Sequence, residues 1–311
     1  SRENIVPVDP ERATAAPSTE SARMETIAAN HQPLPTAMSW AGPGWTNVLG
    51  VRISAVNLSS ATRRIETAIA LGKKGYVCVR DAHGVIRCQR DARLRAIHNH
   101  AFLVTPDGMP LVWALRRAGY TDAGRVYGPD LMLSLFRAGE TSGLRHFLYG
   151  ATAATLEKLQ TRLLEKFPNA RITGAYAPPF RALRPQEEAG IAERINRSGA
   201  DIVWVGLGSP KQELWMAQMR GKLDASMLIG VGAAFDFHAG LKRQAPKAIQ
   251  KSGLEWAFRL VHEPRRLWRR YAVTVPGFIC LSAMQRLGLR QFPTDETPGA
   301  VRAATGQAAD E

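Results

Sequence analysis

The chain has 311 residues, 45% hydrophobic and 22% charged, enough to bury one full α/β core with extensions or two small domains. Its 41 Lys and Arg outnumber 27 Asp and Glu for a formal charge of +14, which suits a phosphate-bearing partner: nucleotide, nucleic acid or anionic lipid. Cys78, Cys88 and Cys280 are too few and too scattered for a disulfide framework or a paired-cysteine zinc site, and they fit a reducing cytoplasm. No run reads as a signal peptide or reaches the roughly 18 residues that span a bilayer, so membrane association is expected to be peripheral.

Residues 1–45 and 293–311 are rich in Ala, Pro, Ser and Thr without a sustained apolar period and read as tails that do not fold alone. Between them, an α/β domain is expected over 46–245 and a basic helical appendage over 246–292. Strand-like runs begin at Phe102 (FLV), His146 (HFLYG), Asp201 (DIVWVGL) and Ser226 (SMLIGVG), and they alternate with helical patterns. That alternation predicts a Rossmann-like, mostly parallel sheet flanked by helices. Leu156, Leu159, Leu163, Leu164 and Phe167 fall on one helix face and read as core. A second helix is expected from Pro185, with Ile191 and Ile195 inside and a stop at Ser198-Gly199.

The loops after these strands, TPDG, YGAT, GLGSPKQE and GVGAAFDFHAG, stand where open α/β sheets bind ligands and could line one crevice. In the first, Asp107 precedes Gly108 and a helix opened by Pro110, so its carboxylate is a candidate general base or a helix N-cap. In GLGSPKQE, the turn carrying Gly206, Gly208 and Pro210 leads into a helix, so backbone N–H groups and Lys211 could face a diphosphate. The segment matches neither the Walker loop nor the dinucleotide fingerprint, and a plain tight turn is the alternative. In GVGAAFDFHAG, Asp236 could bond a ribose or base edge, or the glycines could mark a bulged strand end. His98 and His100, in HNH, lack a metal-ligand set and read as surface residues, while His83 in DAHG is open to either reading. No D-x-D triplet occurs, so a leaving diphosphate would be neutralised by fixed donors.

After residue 245 the pattern is helical only: EWAFRLVH, PRRLWRRYAV and PGFICLSAMQRL, the last two each opened by a proline. Leu267, Trp268 and Tyr271 are read on one side of the middle helix, with Arg265, Arg266, Arg269 and Arg270 beside them. Such a helix can lie on an anionic membrane, pack its aromatics into the core, or bind nucleic acid, though no nucleic-acid-binding signature accompanies it.

Taken together and in order, VTPDGMPLVWALRRAG, ADIVWVGLGSPKQELW, IGVGAAFDFHAGLKRQAPK and GLEWAFRLVHEPRRLWRRY resemble the WecG/TagA/CpsF glycosyltransferase family, as do RVYGPDLM and FLYGAT. The resemblance implies an inverting, metal-independent, cofactor-free transfer from a UDP-sugar to a polyprenyl-diphosphate-linked saccharide at the inner face of the cytoplasmic membrane, in surface or exopolysaccharide synthesis. It implies no nucleic-acid partner and leaves room for a homo-oligomer.

By the same resemblance, Asp107 would be the general base and Gln212 would position the donor. Asp81, His83, Gly108, Gly150, Gly206, Gly208, Pro210, Lys211, Glu213, Gly232, Phe235 and Asp236 would contact substrate. Arg259, Arg265, Arg266, Arg269 and Arg270 would close over the lipid diphosphate. Where the family often has Thr-x-Asn after an early strand, this chain offers Val79 and Asp81, a change that bears on which sugar is taken. The rival readings are a nicotinamide-dependent oxidoreductase and a basic nucleic-acid-binding protein.

Overall fold

The computed structural model describes residues 43–242, 244–246, 249 and 255–294. Most of the two expected tails, 1–42 and 295–311, therefore lies outside the described residues, as do several positions between 243 and 254. Six strands form a mostly parallel sheet in the order β4-β3-β8-β7-β5-β6 and helices flank it, which makes the chain an α/β protein. The strands are β3 (Gly75–Arg80), β4 (Leu103–Pro106), β5 (Arg145–Gly150), β6 (Arg171–Tyr176), β7 (Ile202–Gly206) and β8 (Met227–Gly230). A separate antiparallel hairpin joins β1 (Trp45–Val48) to β2 (Val51–Ser54). The chain divides into two compact units.

The first unit comprises residues 59–76 and 128–242. β5 pairs in parallel with β6 on one side and β7 on the other, and β7 pairs with β8. Ile202, Val203, Trp204 and Val205 are all buried, the continuous apolar run of a strand covered on both faces. Its helices are α1 (Leu58–Ala70, which begins at the unit boundary), α5 (Gly128–Ser142), α6 (Ala153–Lys166), α7 (Pro185–Arg197), α8 (Lys211–Met219) and the short α9 (Ala234–His238).

Most of the expected stripe at α6 is core: Leu156, Leu159, Leu163 and Phe167 are buried, each worth roughly 1.5–3 kcal/mol relative to exposure, while Leu164 is half-buried at its edge. The helix starts where Thr152 Oγ1 accepts from Thr155 N at 3.2 Å. Pro185 opens α7 as expected, Glu187 accepts from Arg184 N at 2.8 Å, and Ile191 and Ile195 face inward.

The second unit comprises residues 43–58, 77–127 and the described residues from 244 onward. It holds β1, β2 and the parallel β3–β4 ladder, in which Val77 lies opposite Leu103 and Arg80 opposite Pro106. Its helices are α2 (Ala82–Cys88), α3 (Ala92–Asn99), α4 (Met109–Arg117), α10 (Glu255–His262) and α11 (Pro264–Arg286).

The hairpin turn puts Leu49 at φ 51° and Gly50 at φ 79°, a geometry that favours Asn-Gly. Leu49 tolerates it because its side chain is fully buried and its backbone is tied down. Leu49 N donates to Gln285 Oε1 at 3.0 Å, and Leu49 O accepts from Gln89 Nε2.

Three expectations are corrected in this unit. The two C-terminal helices are one: α11 runs through Pro276, whose side chain is exposed, so the proline does not open a new helix. Proline's ring and missing N–H cost one turn of hydrogen bonding there without ending the helix. Trp268 does not share the buried side of Leu267 and Tyr271. The latter two stand four residues apart and are buried, while Trp268 lies about 100° round the helix from Leu267 and is 53% exposed. His98 is not a surface residue; it is fully buried, with Nδ1 2.6 Å from Leu94 O and 3.6 Å from Cys88 Sγ.

Candidate active site

The second unit carries a cavity of about 930 Å³ whose polar end is built by two strand ends. β3 ends at Arg80, and the next residue, Asp81, caps α2 by accepting from Gly84 N at 2.8 Å. β4 ends at Pro106, and Asp107 N donates to Arg80 O at 2.8 Å, so the two loops leave the ladder side by side. Gly108 is the N-cap of α4 and makes no side-chain cap bond. Asp107 stands one residue before that cap, with its carboxylate partly buried.

That carboxylate meets Arg125. Nη2 lies 3.0 Å and Nε 3.2 Å from Asp107 Oδ1, and Nε also donates to the Asp107 carbonyl. Arg125 Nη2 reaches Glu255 Oε2 at 2.6 Å as well, and the guanidinium sits 4.4 Å over the Tyr127 ring. Burial works against the charge on Arg125, but Asp107 and then Glu255 outweigh it and hold its pKa above the ordinary value. Asp107, Arg125 and Glu255 are only 22%, 16% and 14% exposed, so the two anions share one cation at the mouth of the cavity.

Beside this triad, His83 Nδ1 lies 2.8 Å from Thr274 Oγ1 of α11. Burial, followed by the charge of Arg270, pushes the His83 pKa down to about 4 despite the opposing pull of Asp81. The ring is therefore neutral at pH 7 and can accept or donate a hydrogen bond. Burial would raise the Asp81 pKa, yet Arg270, Arg80 and the Gly84 N–H together lower it, and Arg270 Nη2 is 3.3 Å from Asp81 Oδ2. The rest of the cavity is walled largely by α4 and α11, where Trp113, Val275, Phe278 and Ile279 form an apolar patch and Arg117, Ser282, Gln285 and Arg286 add polar groups.

The first unit holds the other motif residues. Gly150, at φ 129°, has its backbone against Gly206, and a Cβ there would lie 2.6 Å from Gly206 C. Gly208 (φ 75°) has open space where a Cβ would stand, and Gly232 (φ 52°) has Gln212 Oε1 3.5 Å from that point. Pro210 is the N-cap of α8, and Lys211 beside it is exposed. Gln212 is buried; its Nε2 donates to Glu213 Oε1 at 2.9 Å, and its own Oε1 has no partner among the described residues. Glu213 is fully buried, and Phe235 is a core residue packed on Gly206. Asp236 pairs with Lys242 at 2.6 Å, and His238 Nε2 lies 3.0 Å from Pro129 O.

Of the arginines expected at the lipid diphosphate, Arg265 and Arg269 project from α11 into solvent and Arg270 is tied to Asp81. The side chains of Arg259 and Arg266 lie outside what the structure describes. Sequence reasoning missed three participants in the cavity. Arg125 sat in the quoted RVYGPDLM segment without a role, Glu255 stands 130 residues from it, and Thr274 lay within an apolar stretch.

The structure thus sets a strand-end carboxylate paired with arginine at the polar end of a cavity in an α/β scaffold. The family model described as Glycosyl transferase WecG/TagA/CpsF family matches residues 46–292, and the chain belongs to that family. It is a glycosyltransferase. Among the described residues no helix is long and apolar enough to cross a membrane.

Proposed function

We propose that this glycosyltransferase moves a sugar, with inversion and without a metal ion or cofactor, from a UDP-sugar to a saccharide carried on polyprenyl diphosphate. It does so while docked peripherally on the inner face of the cytoplasmic membrane, in the synthesis of a surface or exported polysaccharide. The observation that carries this reading is Asp107: its carboxylate is paired with Arg125 at the polar end of the cavity.

In the step, the acceptor hydroxyl gives its proton to an Asp107 carboxylate oxygen as its own oxygen bonds to the anomeric carbon. The bond from that carbon to the UDP phosphate oxygen breaks, and UDP leaves with the electron pair. A carboxylate takes such a proton late, so most of its effect comes from holding the hydroxyl in line. Within the first unit, the glycine turns after β5, β7 and β8, with Lys211 and the start of α8, are proposed for the nucleotide diphosphate, since backbone N–H groups and a helix N-terminus favour an anion there. His83, neutral and hydrogen-bonded to Thr274, is proposed to contact the acceptor sugar.

The test is a thermal-shift screen of UDP, UDP-sugars, ADP and NADH on the full chain, followed by UDP release in the presence of polyprenyl-diphosphate saccharides. UDP stabilisation together with acceptor-dependent UDP release supports the reading. Stabilisation by NADH in place of UDP, or steeply salt-dependent binding of random nucleic acid in place of UDP, contradicts it.

A further inference from the structure

The cavity around Asp107 continues as a groove along α4 and α11, and its far walls do not suit a saccharide. Trp113, Val275, Phe278 and Ile279 form them, and Trp113 and Ile279 remain 49% and 63% exposed. These side chains offer sugar hydroxyls almost no hydrogen-bonding partners, so a glycan placed there would lose its water without compensation. The α11 part of the lining runs from Tyr271 to Arg286, about 22 Å at the ~1.5 Å rise per residue of a helix. Thr274, Ser282, Gln285 and Arg286 interrupt that length, so the apolar part is the patch of Trp113, Val275, Phe278 and Ile279, and an exposed apolar patch of this kind marks a binding surface.

What fills it must be compatible with chemistry at Asp107, because one continuous cavity contains both the apolar walls and the Asp107–Arg125–Glu255 triad. A partner helix or a second copy of the chain seated on the walls would cover the carboxylate. A molecule with an apolar chain at one end and its reacting head at the other satisfies both ends at once. We propose that the groove between α4 and α11 holds the first isoprenyl units of the acceptor's lipid tail, so that the enzyme selects its acceptor by tail as well as by head. This inference rests on the transferase reading above.

The experiment compares two soluble acceptors with the same diphosphate-saccharide head, one with a short prenyl tail and one with a two-carbon alkyl tail, in the full chain and in Trp113→Ser and Phe278→Ser. For the unaltered protein, kcat/KM should be at least tenfold higher with the prenyl tail, and either substitution should bring that ratio close to one while Trp113→Phe keeps it. Thermal melts show whether each variant is folded, and the second serine variant stands in should the first fail. A ratio near one in the unaltered protein, an equal loss on both tails in the folded variants, or a change of oligomeric state on substitution would overturn the proposal.

A parallel binding measurement uses geranylgeranyl diphosphate as the probe, read by quenching of tryptophan fluorescence. Binding lost in the serine variants, with no transfer to any acceptor, would remove the transferase reading while leaving a prenyl site. Transfer that ignores the tail would keep the transferase reading and remove the groove.

Discussion

Arg125 holds Asp107 by two handles, donating both to its carboxylate and to its backbone carbonyl, while the same guanidinium binds Glu255 at 2.6 Å. Removing the arginine takes away a cation with which both partly buried carboxylates pair. Arg125→Met should cost about 2 kcal/mol of stability, less than the ~3–5 kcal/mol of a wholly buried pair, because all three groups keep some solvent. Adding Glu255→Gln should restore part of that loss, and urea unfolding of the single and double variants measures both. A double variant no more stable than the single one would show that the two carboxylates do not repel.

Acid should weaken the fold earlier than carboxylate titration alone would. Burial lowers His83 to about 4 and His146 to about 3, and it lowers His238 as well. In the unfolded chain these rings take up protons near the ordinary value of 6.5. Between pH 6.5 and 4 the unfolded state therefore binds more protons than the native one, so stability falls as pH falls through that window. His146→Gln should flatten the decline, read as the urea midpoint at pH 7 and pH 5. An unchanged slope would contradict the burial of a neutral ring at position 146.

The glycine turns separate into those packed against backbone and those with open space beside them. Gly150→Ala would drive a methyl to within 2.6 Å of Gly206 backbone at φ 129°, so the variant should be insoluble or unfolded at room temperature. Gly208→Ala meets nothing within 4 Å and carries only the left-handed penalty of φ 75°, about 1–2 kcal/mol. It should fold with a modestly lower Tm and show weaker UDP stabilisation. Equal behaviour of the two variants would contradict this division.

Much of the fold was legible where burial imposes a clear period. The α6 leucine stripe, the α7 proline start and the all-buried β7 read directly, because a strand covered on both faces must be apolar throughout. β6, with Arg171 exposed at its start and Gly174 within, and the four-residue hairpin strands lack such a signature. Pro276 misled because proline is as common at a helix start as it is costly inside one, and only an exposed, already-nucleated helix could absorb it.

At the site, Asp107 was legible as either base or cap, while its pairing with Arg125 was not. The partnership of Arg125 with Glu255 spans 130 residues and leaves no local pattern. His98 read as a surface residue because a helix can satisfy a buried ring through its own carbonyl, here Leu94 O, with no mark in the sequence.

The central claim is that the Asp107 carboxylate accepts the acceptor's proton, and the direct measurement is single-turnover transfer by Asp107→Asn alongside its thermal melt. The account predicts a loss of at least about 10²-fold in rate, the scale of general-base catalysis, with a Tm close to that of the unaltered chain. Asparagine still offers Arg125 a hydrogen-bond acceptor, so a folding defect should not intervene. Transfer within a few-fold of the original rate would contradict it.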